Sequence, residues 1–139
     1  MKGFRVVAKI VPRFRDTDAM GHVNNAVYLT YFEVARTAYW TELTGDRNYQ
    51  RVPFILAHTT LDFRSPAFVQ EKLLVGIRVS RLGNKSFECT YRVADEATDR
   101  LVCEGRSVQA IFDYEKNATY PMPEELKAKV RAFEGDSSL

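Results

Sequence analysis

Residues 25–44 hold only three charged side chains, Glu33, Arg36 and Glu42, and no Gly or Pro. Asn24 or Asn25 in front is a good N-cap, and Gly45 behind is a natural left-handed stop, so the stretch predicts one long helix. Val27, Tyr28, Leu29, Tyr31, Phe32, Val34, Ala35, Ala38, Tyr39, Trp40 and Leu43 leave no side of that helix polar. A helix apolar nearly all round is expected to be buried nearly all round. Glu33 and Arg36, spaced i, i+3, are expected to neutralise each other where it surfaces. At 139 residues the chain has material for one core and one domain. The rest of the chain must therefore cover this helix.

That remainder reads as strands. Residues 4–14 alternate, with Val6, Ala8 and Ile10 on one side and Val7, Lys9, Val11 and Arg13 on the other. After Pro53, residues 54–63 place Ile55, Ala57, Thr59, Leu61 and Phe63 against Phe54, Leu56, His58, Thr60 and Asp62. Ser65-Pro66 stops that strand. Residues 71–81 carry Leu73, Val75, Ile77 and Val79 on one face. Leu82 to Lys85 is a turn signal, and Phe87, Cys89, Tyr91 and Val93 mark a further strand. Leu101 to Tyr114 is a long last strand. Glu124 to Phe133 is a short amphipathic helix, and 135–139 an expected disordered tail. Consecutive alternating strands joined by short turns pair antiparallel. The expected architecture is α+β, an antiparallel five-stranded sheet curled around one central helix.

A net charge of +2 with no basic run excludes an electrostatic nucleic-acid binder. No apolar run reaches membrane-spanning length, and charges at Lys2, Arg5, Lys9 and Arg13 interrupt any signal-peptide core. Cys89 and Cys103 lack metal spacing and read as reduced, buried thiols of a cytoplasmic protein. No metal ligand set is expected.

The chemistry concentrates in Asp16-Thr17-Asp18-Ala19-Met20-Gly21-His22-Val23-Asn24-Asn25, between the first strand and the long helix. A helix start presents free N–H groups and the positive end of the dipole. A carboxylate beside such donors suits attack on a carbonyl whose oxygen gains charge. Asp16 is expected to cap a turn. His22 reads equally as a loop residue bonded to backbone or as a catalytic part. Asn25 is expected to orient water or a carbonyl while also capping the helix. Tyr28 and Tyr31 read as core or interface aromatics, and His58 as a core or pocket-lining histidine.

The run Arg13 to Tyr28, with Tyr31-Phe32-Glu33-Val34-Ala35-Arg36, resembles the hotdog-fold acyl-CoA thioesterases of the 4-hydroxybenzoyl-CoA thioesterase-like branch. The element order agrees over residues 5–115. The resemblance implies that Asp18, second of the Asp-x-Asp pair, is the catalytic carboxylate, acting as nucleophile or general base. It implies an oxyanion contact from the backbone of Gly21, His22 and Val23. Some relatives carry His where Asn25 stands, and other branches use a helix carboxylate, for which Glu33 is the candidate. The leaving thiol, with a pKa of about 8.5, departs without a strong general acid.

The resemblance also places coenzyme A phosphates at the hairpin holding Arg81, Gly83, Asn84, Lys85 and Ser86. Tyr28, Arg64, Lys85 and Ser86 are the candidate substrate contacts. Coenzyme A is then part of the substrate, and no separate cofactor is expected. The substrate would be an acyl-CoA or acyl-carrier-protein thioester. Relatives are dimers with interfacial sites, so a homodimer or homotetramer is expected. One small sheet with open edges agrees with that. The competing readings are a CoA-thioester hydratase or dehydratase and a non-catalytic acyl- or CoA-binding module.

Overall fold

The computed structural model describes residues 1–139. Strand β1 spans Val6–Ile10, helix α1 Val27–Thr44, β2 Phe54–Phe63, β3 Leu73–Leu82, β4 Ser86–Asp95 and β5 Leu101–Asp113. A two-residue strand, β6 at Ala118–Thr119, precedes helix α2 at Glu124–Glu134. The five main strands form one antiparallel sheet in the order β1-β3-β4-β5-β2, and β6 adds to β5. This is the α+β architecture that the sequence pattern implied, and the hotdog fold that the resemblance implied.

The first strand is shorter than its alternation suggests. Val11 and Pro12 leave the ladder after Ile10, and a 3-10 turn, Phe14–Asp16, takes over. The alternation in β3 and β4 holds throughout: Leu73, Val75, Ile77, Val79, Phe87, Cys89, Tyr91 and Val93 are all buried. In β2 it does not. A bulge between Leu56 and His58 switches faces, so Phe54 and Leu56 point the same way as Thr59, Leu61 and Phe63. His58 is consequently exposed, opposite Val108, and not a core histidine.

The sheet covers one side of α1, not its whole circumference. Tyr28, Tyr31, Phe32, Ala35, Arg36, Tyr39 and Leu43 are buried. Ala26, Leu29, Thr30, Glu33 and Val34 form an exposed stripe, with Leu29 at 39% and Val34 at 44% exposure. Between helix and sheet, Phe32 stacks on Tyr91 of β4 with ring centres 4.1 Å apart. Gly105 makes room for it: a Cβ there would sit 2.8 Å from the Phe32 ring and closer still to the Thr60 carbonyl oxygen.

The expected Glu33–Arg36 pair is absent. Arg36 is 8% exposed and its Nη1 donates to the Tyr91 hydroxyl at 3.1 Å, while Glu33 stays in solvent. Burial works against the guanidinium charge, and the Tyr91 and Tyr49 phenols outweigh it. Tyr91 continues to Ser107 Oγ at 2.7 Å, which the Gln109 amide reaches at 2.6 Å. A line of polar side chains thus crosses the core beneath α1.

Helix α2 seals the far end, where Glu134 accepts from the Tyr39 hydroxyl and the Val79 amide, both at 2.7 Å. Residues 135–139, expected as a disordered tail, fold back: Gly135 is left-handed (φ 69°), and Arg131 Nε donates to the Leu139 carbonyl oxygen. Cys89 and Cys103 are free and buried, and burial pushes both thiols up to about 12.

Candidate active site

The loop from Pro12 to Ala26 is built on Asp16. Its carboxylate is 5% exposed and takes the Arg13 amide at 2.9 Å, Arg13 Nη2 at 3.0 Å and the Tyr31 hydroxyl at 3.2 Å. Burial alone would raise its pKa, but the Arg13 and Tyr31 bonds outweigh that and hold it below the usual carboxylate value. The backbone continues the anchoring. Asn24 N–H donates to the Asp16 carbonyl at 2.8 Å, and Asp18 N–H to that of His22 at 2.8 Å. Asp16 is therefore more than a turn cap; it fixes the loop to α1.

Asp18 is held differently. It is half-buried, and Oδ1 accepts the Met20 amide at 2.9 Å in a tight local turn. Oδ2 has no partner in the chain. Gly21 closes the turn with φ 77°, a conformation that suits glycine. Asp18, His22, Val23, Asn25 and Tyr28 line one pocket of about 330 Å³ together with Met20, Phe63, Arg64, Ser65 and Pro66. Six of the predicted residues thus meet at one place.

Two sequence expectations are corrected here. The N–H groups of Gly21 and Val23 are already taken, by the carbonyls of Asp18 at 3.0 Å and Ala67 at 2.8 Å. Those of His22 and Asn25 have no acceptor in the chain. The unspent donors are therefore His22 and Asn25, not the whole Gly21–Val23 span, because the loop folds as a ladder that consumes the amides on either side of His22. Asn25 is also not the helix cap. The cap position before Val27 is Ala26, with no side-chain bond, and Asn24 instead holds the turn leading into the helix, its Oδ1 accepting the Ala26 amide at 2.9 Å and its carbonyl the Val27 amide at 2.9 Å. The Asn25 side chain is left free to face the pocket.

The His22 ring is half-buried and stands edge-on to Phe68 at 5.2 Å. Tyr28 is buried, its ring 5.5 Å from Phe63. Burial, the largest cause, pushes its phenol up to about 12. Arg64 reaches the pocket but is paired with Glu104 at 3.0 Å and Asp62 at 3.8 Å. Lys85 and Ser86 do not join these residues. They line a separate surface pocket with Arg81, Gly83, Asn84 and Glu88 at the β3–β4 turn. Ser86 pairs with Ala110, and Ala110 with Ile55, so this turn lies at the Phe54 end of β2, whereas Asp18 lies at the Phe63 end. Ten residues of strand put about 30 Å between the two ends.

Sequence reasoning did not single out Met20, Ser65 and Pro66 as pocket walls. The Ser65-Pro66 stop was visible, but its placement against the helix start depends on Arg100, which bonds Ser65 Oγ at 3.3 Å and the Pro66 carbonyl. No group of three His, Cys, Asp or Glu side chains is placed to hold a metal ion.

Residues 12–130 match the family profile described as the thioesterase-like superfamily. The chain belongs to that superfamily. A thioesterase from Thermus thermophilus, solved with coenzyme A and zinc, superposes with a TM-score of 0.88 at 32% identity, over 97% of this chain and 98% of that one. A 1,4-dihydroxy-2-naphthoyl-CoA hydrolase of Nostoc punctiforme is 29% identical over 118 residues, 82% of this chain and 78% of that protein. The long-chain acyl-CoA thioesterase FadM of Escherichia coli is 24% identical over 118 residues, 81% of this chain and 87% of its own length. At the level of the family, the activity of this thioesterase is hydrolysis of the acyl-CoA thioester type.

Proposed function

We propose that the protein hydrolyses an acyl-CoA, or an acyl-carrier-protein thioester, to free acid and thiol, with Asp18 as the catalytic carboxylate. The observation that carries this reading is one pocket shared by a carboxylate with a free oxygen and by residues whose amides are unspent at a helix start. The thioester carbonyl oxygen would sit against the His22 and Asn25 N–H groups, where charge is stabilised without rearrangement. Oδ2 of Asp18 would attack the carbonyl carbon directly or take a proton from water. Asn25 would orient the carbonyl or water through its side chain. His22 packs beside them against Phe68 and needs no part in protonating a thiolate leaving group. Tyr28 and Phe63 would flank the acyl group.

The active form in this reading is a homodimer, itself open to pairing into a tetramer. Strand β2 is an unpaired edge carrying exposed Ile55, Leu56 and Phe63. Antiparallel pairing of two β2 edges would lay the Lys85-Ser86 turn of one copy beside the Asp18 pocket of the other. That resolves the separation of the two groups within one chain, and Arg81 and Lys85 would meet the nucleotide phosphates. Buried free thiols support a reducing, cytoplasmic setting.

The test is thiol release from short-chain, long-chain and aryl CoA esters by wild type and Asp18→Asn. The substitution is expected to lower kcat on the best ester by on the order of 10²–10⁴-fold with an unchanged far-UV spectrum. Wild-type turnover by the folded variant refutes the assignment. Saturable binding of CoA with no thiol release from any ester would make the protein a binding module instead.

A further inference from the structure

The free amide of His22 owes its direction to a neighbour in the loop between β2 and β3. Successive N–H groups of an extended chain point to opposite edges. Val23 N–H is spent on the Ala67 carbonyl at 2.8 Å, and His22 bridges to Phe68 alongside it. The His22 N–H is therefore turned to the other edge, where Asp18 N–H donates to the His22 carbonyl at 2.8 Å. Where Ala67 sits decides where that donor aims.

Ala67 is fully buried and has no polar side chain, so its backbone must be held by others. The peptide unit joining Ala67 to Phe68 is one rigid plane. Its carbonyl takes Val23, and its N–H, on Phe68, donates to Glu71 Oε2 at 3.0 Å. Glu71 Oε1 takes Arg100 Nη2 at 2.8 Å. Through Nη1 the same guanidinium donates to the Pro66 carbonyl, on the preceding peptide plane, and to Ser65 Oγ at 3.3 Å. Arg100 and Glu71 thus grip both peptide planes that flank Ala67. The bonds are charge-assisted, and the pair is half-buried, so water screens it less than a surface ion pair. Gln70 in the same loop is left-handed at φ 67°, a backbone that a residue with a side chain keeps only where its surroundings hold it.

We infer that Arg100 and Glu71 are positioning residues for the hydrolysis: they fix the Ala67–Phe68 plane, and through it the aim of the His22 N–H at the thioester oxygen. The inference rests on the hydrolase reading and deepens it. Neither side chain lines the Asp18 pocket, so both act through the backbone they hold. The planar fork of Arg100 spans the Pro66 carbonyl and Glu71 at once, which the single ammonium of a lysine does not reproduce.

The test is thiol release from the best CoA ester by Arg100→Gln, Glu71→Ala, the double variant and Arg100→Lys, with amide hydrogen exchange of Val23 as the second readout. The variants are expected to keep the wild-type far-UV spectrum. Either single loss is expected to lower kcat by about 10–100-fold, because a donor displaced by a fraction of an ångström stabilises the oxyanion less. KM is expected to stay within about two-fold, since the phosphate contacts proposed at Arg81 and Lys85 lie in a different pocket. The double variant is expected to match the worse single one, as members of one unit do, and Arg100→Lys to fall between wild type and Arg100→Gln. Exchange at Val23 is expected to speed by at least about 10-fold, while the Val79 amide, bonded to Glu134 at the far end, keeps its wild-type rate. Unchanged Val23 exchange in both single variants overturns the grip on Ala67. Faster exchange with wild-type kcat overturns the positioning role and leaves a structural brace. The hydrolase reading fails separately, in the wild type: no thiol release from any ester refutes it, and the role of the pair in rate falls with it.

Discussion

Asp16 and Asp18 differ in position by two residues, and the turn between them decides their roles. Residues two apart on an extended chain share a face. The 3-10 turn at Phe14–Asp16 breaks that rule: it buries Asp16 against Tyr31 and lets Asp18 swing over the pocket. Asp16 is a structural carboxylate whose pKa is lowered. Its contribution to stability is fully present above the ordinary carboxylate range and is lost as pH falls through its own depressed value. Asp16→Asn would leave the Arg13 guanidinium and part of the loop unpaired, at about 1–3 kcal/mol near neutral pH. Thermal unfolding from about pH 7 down to about pH 2 checks this: the gap between wild type and variant is expected to be constant to about pH 5 and to close towards pH 2. A gap that widens in acid would contradict the assigned sign. The placement of both carboxylates in the loop before the helix was legible from residue order, and the choice of Asp18 over Asp16 came from the family resemblance. Which amides remained free was not, because that depends on a loop ladder that only tertiary pairing with Ala67 and Phe68 creates.

At the scale of elements, the period of the pattern sufficed wherever a strand keeps one face buried from end to end. β3 and β4 do so, and every inward residue was readable. β2 changes face at its bulge, and a one-residue shift inverts every later position. The long helix was readable as an element and misjudged in its surroundings. Its outer residues Leu29 and Val34 are apolar yet exposed, and in a sequence pattern they read the same as residues buried inside the sheet. Gly105 shows how tightly helix and sheet are fitted. A methyl there meets the Thr60 carbonyl oxygen and the Phe32 ring, so Gly105→Ala is expected to destabilise by about 1–3 kcal/mol in urea unfolding. The clash is expected to relax by displacing Phe32 from Tyr91, seen as altered near-ultraviolet dichroism. Unchanged stability would mean that α1 is not held against β5 at this point.

At the scale of the whole molecule, the dimer proposed above raises the question of which copy completes which site. Within one chain the Lys85 turn and the Asp18 pocket lie at opposite ends of β2. A coenzyme bound at both must therefore bridge two subunits if the edges of β2 pair antiparallel. Two kinds of defective chain can decide it: one carrying Asp18→Asn, the other Arg81→Ala with Lys85→Ala. The first is expected to lose kcat, and the second to raise KM several-fold through lost phosphate contacts. Mixed dimers then have one site with both defects and one with none, provided that carboxylate and cations come from different copies. Refolding the two variants together is expected to restore sites with wild-type KM, at about a quarter of the wild-type activity per chain if mixing is statistical and half of the dimers are mixed. If both groups served the same site from one chain, every site in the mixture would keep a defect. The wild-type KM component would then be missing, and a subunit-bridging coenzyme would be excluded.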